Sequence, residues 1–211
     1  MEHFVTTSRT ARYFTAGSAE TASELWFVCH GYGQLASRFL PRFQSIASAQ
    51  RCIVAPEGLS RFYLSERAAE RRVGASWMTR EDRLHEIDDY IRYLDAVYRE
   101  VCLRTSPVTA LGFSQGAATV CRWVAFGLSV VDRLIVWGGE VPSDLDLAKG
   151  DVAQRLRAAR LTLVYGTRDE FFTPKIVAAT EARLRAHAIP YDLRPFDGGH
   201  EIHAAALRKL V

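Results

Sequence analysis

A serine flanked by glycines lies where the sequence changes from a strand pattern to a helix pattern. The apolar run Val108–Leu111 continues into Gly112-Phe113-Ser114-Gln115-Gly116, and small and β-branched residues then continue as a predicted helix. Glycines two positions before and after a serine leave room for a tight strand-to-helix turn that exposes the hydroxyl. The N-terminal dipole of a helix that starts at Gln115 stabilises negative charge developing beside this hydroxyl. We therefore interpret Ser114 as a nucleophile for acyl transfer.

A serine hydroxyl is a weak nucleophile at neutral pH, so a base and an orienting acid are needed. The predicted strand Leu161–Tyr165 is followed by Asp169, and the predicted strand Tyr191–Phe196 is followed by His200. The carboxyl ends of parallel strands meet at one sheet edge, so both side chains should lie near Ser114. We predict that His200 is the general base and that Asp169 is its supporting acid.

Neighbouring titratable residues offer alternatives for both roles. Glu170 adjoins Asp169, and one of the two must be a surface charge. Asp197 precedes His200 by three residues, and we interpret it as a turn-forming residue. His203 follows one helical turn later, and we interpret it as a helix residue near the site.

The glycine-rich turn after the predicted strand Leu25–Cys29 offers backbone donors for an oxyanion. It reads His30-Gly31-Tyr32-Gly33, and its N–H groups can point towards the carboxyl edge of the sheet. We expect the N–H of Tyr32 and the N–H of Gln115, the residue after the serine, to form the oxyanion hole. His30 is interpreted as a structural residue whose hydrogen bonds hold this loop.

The elements that must position these residues follow from hydrophobic periodicity. Continuous apolar runs of strand length predict strands that are buried on both faces. These runs are Leu25–His30, Cys52–Ala55, Val108–Phe113, Leu134–Trp137, Leu161–Tyr165 and Tyr191–Phe196. Helical periodicities lie between them, which predicts an α/β fold with a mostly parallel central sheet and helices on both faces. We expect an antiparallel edge hairpin over His3–Ala16, and no repeat or linker divides the single domain 1–211.

Composition excludes several classes of protein. With 48% hydrophobic and 24% charged residues, the chain is ordinary for a globular protein rather than a disordered one. The net charge of +3 is spread over scattered arginines, so no nucleic-acid partner is expected. The N-terminus lacks a secretory pattern and no apolar run could cross a bilayer, so we expect a cytoplasmic protein without stable membrane insertion. The cysteines lack zinc-site spacing, and neither a metal nor a cofactor is expected: Cys29, Cys52, Cys102 and Cys121.

Five motifs together resemble the phospholipase/carboxylesterase family of α/β-hydrolases, small enzymes with a minimal lid or none that include acyl-protein thioesterases. The motifs are His30-Gly31-Tyr32-Gly33, Pro56-Glu57-Gly58, Gly112-Phe113-Ser114-Gln115-Gly116, Gly166-Thr167-Arg168-Asp169 and Gly198-Gly199-His200. The resemblance implies metal-free hydrolysis of a small carboxylic ester or thioester through an acyl-enzyme. It also implies a triad of the same serine, aspartate and histidine, with the same two N–H groups as the oxyanion hole.

The sequence departs from the family pattern over residues 59–78, where the acyl pocket is expected. This stretch contains a charged piece, Glu66–Arg72, that we interpret as either a short flap or a solvated helix. Its bulky residues are candidate walls of the substrate pocket. These are Phe62, Tyr63, Trp77 and Met78.

Several functions stay open at this level because one fold supports many reactions. A peptidase, a lactonase or a dienelactone hydrolase would use the same scaffold, and a non-catalytic binding protein is a further alternative. The sequence decides neither between ester and thioester nor whether the chain forms a homodimer. We expect short or medium acyl chains to be preferred.

Overall fold

The computed structural model describes residues 1–65, 72–102 and 106–211. The strands are β1 (Tyr13–Ala16), β2 (Glu24–Cys29), β3 (Arg51–Pro56), β4 (Ser60–Tyr63), β5 (Val73–Ser76), β6 (Val108–Phe113), β7 (Arg133–Trp137), β8 (Leu161–Gly166) and β9 (Tyr191–Phe196). The helices are α1 (Ala36–Phe39), α2 (Arg83–Val101), α3 (Gln115–Phe126), α4 (Gly150–Ala158), α5 (Pro174–Ala186) and α6 (Ala204–Arg208). A 3₁₀ segment, Leu40–Ile46, continues α1.

Seven strands form the central sheet in the order β1-β3-β2-β6-β7-β8-β9. All neighbours pair in parallel except β1, which runs antiparallel to β3 at the edge. The predicted α/β fold with a mostly parallel sheet is therefore confirmed. Candidate site residues after β6, β8 and β9 consequently lie at the same edge, where the parallel strands end.

The N-terminal hairpin needs a correction. Within His3–Ala16 a strand forms only over β1, and residues 1–12 carry no regular secondary structure. The antiparallel partner of β1 is β3, with Tyr13 opposite Pro56 and Ala16 opposite Ile53. The segment is an antiparallel edge strand, as predicted, but its partner lies some forty residues away in the chain.

The sheet separates two hydrophobic cores because alternate strand residues point to opposite faces. In β2, Phe27 packs against Trp123 of α3 at a ring-centroid distance of 5.1 Å, on the face that α2, α3, α4 and α5 cover. Trp26 points to the other face, into the core that includes Phe39 of α1 and Leu207 of α6. Helices therefore lie on both faces. Among the described residues, no helix is long and apolar enough to span a bilayer.

β4 and β5 form a separate two-stranded hairpin that the sequence patterns did not predict. The hairpin is bonded to the glycine-rich turn: the N–H of Gly33 donates to the Ala75 carbonyl at 2.9 Å, and the N–H of Ala75 donates to the Gln34 carbonyl at 3.1 Å. A Cβ at Gly74 would lie 2.4 Å from the Gly33 carbonyl oxygen, so only glycine permits this approach. Most of the predicted flap or helix, 66–71, lies outside the described residues.

Candidate active site

The backbone at Ser114 adopts an unusual conformation. Its φ of 55° and ψ of −117° place a non-glycine residue at positive φ, which costs about 1–3 kcal/mol and is typical of functional turns. The Ser114 N–H donates to the Trp137 carbonyl at 2.9 Å. A Cβ at Gly112 would lie 2.1 Å from the Gly116 carbonyl oxygen. The flanking glycines therefore serve close backbone packing around the turn between β6 and α3.

His200 and Asp169 form a direct hydrogen bond at the carboxyl edge of the sheet. Nδ1 of His200 lies 2.7 Å from Oδ2 of Asp169. The other carboxylate oxygen, Oδ1, accepts the main-chain N–H groups of Phe171 at 2.9 Å and Phe172 at 2.8 Å. The tautomer that fits this contact carries its hydrogen on Nδ1, which donates to the carboxylate oxygen, and leaves Nε2 free to accept. Asp169 is 4% exposed, so its carboxylate is buried.

Aromatic rings and a glycine position the imidazole. The ring centroid of His200 lies 4.7 Å from that of Phe113 and 4.9 Å from that of Phe171. Gly138 has a positive φ of 55°, and a Cβ there would lie 3.3 Å from both Oδ2 of Asp169 and Nδ1 of His200. The main chain after β7 thus passes directly beside the hydrogen-bonded pair.

Ser114 and His200 line the same cavity, which has a volume of about 540 Å³. The described residues that line it are Gly31, Tyr32, Gln34, Phe113, Ser114, Ala118, Gly138, Gly139, Glu140, Pro142, Phe171, Phe172 and His200. The cavity therefore gathers the loops that follow β2, β6, β7, β8 and β9. It brings together the serine, the imidazole and the glycine-rich turn.

The glycine-rich turn lies against the serine. A Cβ at Gly31 would approach the Cβ of Ser114 to 3.2 Å, and the Gly31 N–H donates to Oε1 of Gln34 at 2.9 Å. Within the described part of the chain, the N–H groups of Tyr32 and Gln115 donate to no protein acceptor. Both N–H groups therefore lack a protein partner among the described residues, and Tyr32 lines the cavity.

The side chain of Gln115 has a role that sequence reasoning missed. Its Nε2 donates to the Met78 carbonyl at 2.8 Å and to Oγ of Ser76 at 3.1 Å, while its Oε1 accepts the Trp77 N–H at 3.1 Å. These contacts tie the start of α3 to the end of the β4–β5 hairpin. The polar character of the residue after the serine was the only signal in the sequence.

His30 holds the same loop from inside the protein. It is fully buried, its Nε2 accepts the Gly58 N–H at 2.9 Å, and its Nδ1 lies 2.8 Å from the Gly31 carbonyl oxygen. Burial lowers the pKa of His30, and the bond to Gly31 and the charge of Glu57 offset this only in part. The neutral imidazole therefore links two loops, in agreement with the structural interpretation.

The four candidate pocket walls do not line the cavity described above. Trp77 is only 1% exposed and donates its indole N–H to a main-chain carbonyl, so it is a core residue. Met78 packs against the same core. Tyr63 is 64% exposed, and Phe62 packs against the ring of Tyr32 at a centroid distance of 5.1 Å. Phe62 therefore adjoins the rim through Tyr32.

Residues of the loops after β7 and β8 line the cavity where the four candidates do not. Glu140 and Pro142 lie on the first loop, and Phe171 and Phe172 lie on the second. Their position just after parallel strands was the available signal, since loops at this edge line ligand sites in open α/β sheets. Nothing in residue type marked these four out.

The alternative acids and bases have other contacts. Asp197 forms an exposed ion pair with Arg168, and Glu170 is exposed to solvent. The ring of His203 stacks on Phe196 at 5.2 Å, and its side chain caps the start of α6. Among the described residues, the carboxylate that contacts His200 is that of Asp169.

Solved structures share this arrangement of strands and helices. Acyl-protein thioesterase 2 from Zea mays matches with a TM-score of 0.75 at 15% sequence identity, over 95% of this chain and 96% of that chain. The carboxylesterase from Mesorhizobium loti matches with a TM-score of 0.72 at 21% identity, over 95% and 91% of the two chains. The chain has the α/β-hydrolase fold.

A third structure with the α/β-hydrolase fold, esterase PE8, matches with a TM-score of 0.69 at 18% identity, over 96% of both chains. No protein-family model matches the sequence. No curated protein matches it either. The similarity to these structures therefore lies in the tertiary structure and extends over nearly the whole chain.

Proposed function

We propose that this α/β-hydrolase-fold chain hydrolyses carboxylic esters or thioesters of small molecules through an acyl-enzyme on Ser114. One observation carries the proposal. The imidazole of His200, bonded through Nδ1 to Asp169 at 2.7 Å, lines the same cavity as the strained serine. A hydroxyl, an imidazole and a carboxylate in this relation are the parts of a serine hydrolase.

The first half-reaction forms the acyl-enzyme. Oγ of Ser114 attacks the acyl carbon while Nε2 of His200 takes the hydroxyl proton, and the carbonyl oxygen becomes an oxyanion. The oxyanion accepts hydrogen bonds from the N–H groups of Tyr32 and Gln115. One such donor is worth about 3–4 kcal/mol of transition-state stabilisation. When the intermediate collapses, the imidazolium gives its proton to the leaving alkoxide or thiolate.

The second half-reaction returns the free serine. Nε2 of His200 removes a proton from water, and the resulting hydroxide oxygen attacks the acyl carbon. The oxyanion forms again in the same place and collapses to release the carboxylic acid, while the imidazolium returns its proton to Oγ of Ser114. Asp169 holds the imidazole in the correct tautomer and stabilises the imidazolium in both halves.

The cavity walls support a small or medium acyl group. Phe113, Phe171 and Phe172 are among the residues that line a space of about 540 Å³, which is within the usual range for small-molecule sites. Phe62, packed on Tyr32 at the rim, would touch only a longer substrate. Neighbours of the same fold are named as esterases and a thioesterase, which favours acyl transfer to water over other chemistry.

The proposal is tested with p-nitrophenyl esters and acyl thioesters graded from acetyl to palmitoyl. We expect turnover that is highest for short or medium chains. Ser114→Ala should lower kcat by about 10⁴- to 10⁶-fold and abolish labelling by a fluorophosphonate probe, because the nucleophile is removed while the pocket stays intact. Undiminished turnover in Ser114→Ala would remove this serine from the mechanism.

A further inference from the structure

A second cavity lies at the opposite edge of the sheet and has a volume of about 570 Å³. Arg133 begins β7, Arg160 immediately precedes β8, and Arg157 lies on the last turn of α4. All three arginines line the cavity. A six-residue strand is about 20 Å long, so the cavity is separate from the one that contains Ser114.

Main-chain carbonyls hold the three guanidinium groups in place. Their hydrogen bonds are Arg133 Nη2 to Leu210 O (2.7 Å), Arg157 Nε to Ala188 O (3.1 Å), Arg157 Nη2 to His187 O (2.8 Å) and Arg160 Nε to Asp132 O (3.4 Å). A carbonyl acceptor orients a guanidinium but leaves its positive charge uncompensated. Since a guanidinium has five N–H donors, each of these arginines keeps several for a ligand.

Carboxylates do not neutralise this group. In the described chain, none of the three arginines forms an ion pair. Asp192 also lines the cavity, but its partner is Arg194 at 3.4 Å. Glu24, at the same sheet edge, is paired with Arg51 at 2.5 Å. Glu24 and Asp192 are therefore each paired with another arginine.

The positive charges gathered around Arg133 repel one another. Partial burial lowers the pKa of Arg133, and the charges of Arg160 and Arg51 lower it further, whereas Glu24 raises it. Like charges held together by neutral acceptors gain stability when an anion enters between them. Guanidinium forks match the geometry of phosphate oxygens, with two parallel N–H donors facing two oxygens.

We propose that this cavity binds a small phosphate-bearing anion between Arg133, Arg157 and Arg160. Pro190 and Tyr191 line the same cavity and offer a surface for the organic part of such a ligand. The site needs none of the residues assigned to ester hydrolysis. Anion binding at this cavity can therefore be tested whether or not the chain hydrolyses esters.

Calorimetric titration with pyrophosphate, at an ionic strength held constant with sodium chloride, tests the site. We expect saturable binding by the native protein and by Ser114→Ala. Arg160→Gln should weaken binding by about tenfold or more, because a charge-assisted hydrogen bond is lost. Arg157→Gln should weaken it similarly, which protects the test against misfolding of one variant. Thermal unfolding identifies any variant that fails to fold.

The matched control is Arg80→Gln, an exposed arginine outside this cavity whose loss changes the net charge equally. Its affinity for pyrophosphate should stay within about twofold of the native value. An equal loss in Arg80→Gln would show non-specific charge attraction and overturn the proposal. The absence of saturable binding up to about 10 mM pyrophosphate would also overturn it.

Discussion

The Nδ1 atom of His200 lies 2.7 Å from Oδ2 of Asp169, and the second carboxylate oxygen accepts two main-chain N–H groups from the loop after β8. The carboxylate is therefore oriented by the backbone, and the imidazole is oriented by the carboxylate. This chain of contacts fixes the imidazole at the cavity that Ser114 also lines.

Asp169→Asn should lower kcat by about 10³- to 10⁴-fold with little change in fold. The amide has nearly the same shape, but its NH₂ group can donate to Nδ1 and so favour the wrong tautomer of His200. Steady-state hydrolysis of a p-nitrophenyl ester measures the effect. Glu170→Gln, which neutralises the adjacent exposed carboxylate, is the matched control and should keep kcat within about twofold. Similar losses in both variants would contradict the assignment.

Gly116→Ala should destabilise the protein by about 3 kcal/mol. Its Cβ would lie 2.2 Å from the Cys29 carbonyl oxygen, which belongs to a buried central strand and cannot move easily. Urea unfolding measures the loss. The control is Gly150→Ala at the start of α4, where a Cβ meets nothing within 4 Å. That change should be neutral or stabilise by up to about 1 kcal/mol. A native-like free energy of unfolding for Gly116→Ala would show that the turn is looser than described.

Acidic pH should lower the free energy of unfolding because His30 takes up a proton more readily in the unfolded chain. Its pKa in the folded state is lowered below the ordinary value of 6.5, mainly by burial. As the pH falls through 6.5, the unfolded chain therefore takes up a proton first. The contribution of His30 to stability is complete above this pH and is lost progressively below it.

Unfolding free energies of the native protein and His30→Gln, measured from pH 8 to about pH 5, test this effect. The difference between the two proteins cancels titrations that they share. We expect His30→Gln to be less stable at neutral pH and to have a shallower loss of stability below pH 6.5. Parallel pH profiles would argue that His30 does not titrate differently on folding.

Glu140 should select against negatively charged substrates. It lines the cavity beside Ser114, is exposed, and forms no ion pair within the described residues. Glu140→Gln should raise kcat/KM for a hemisuccinate ester by roughly fivefold relative to the butyrate ester, because a partly screened repulsion is removed. Glu20→Gln, which removes an exposed charge outside the cavity, should leave this ratio unchanged. A ratio that moves equally in both variants would mean that only net charge matters.

The local pattern of apolar residues predicted most strands of the central sheet. The apolar run Val108–Phe113 is buried along its full length in β6, and helices such as α2 lie between strands, where helical periodicity was predicted. The β4–β5 hairpin escaped prediction because both strands are short, β4 is half-exposed, and both lie in the stretch 59–78 that departs from the family pattern. The edge strand β1 was expected to pair locally, whereas its partner β3 is distant in sequence. Strand pairing over such distances depends on packing that no local window contains.

The amino-acid sequence by itself determined the order and type of the main elements, and with them the loops that carry Ser114, Asp169 and His200. These features follow from hydrophobic periodicity and from glycines at a tight turn, both of which are local properties. Only the tertiary structure decided which carboxylate contacts the imidazole, that Trp77 is buried in the core, and that Glu140 and Phe171 line the cavity. Side chains become neighbours there because separate loops converge at one sheet edge, and the geometry of that convergence is a property of the whole packed chain.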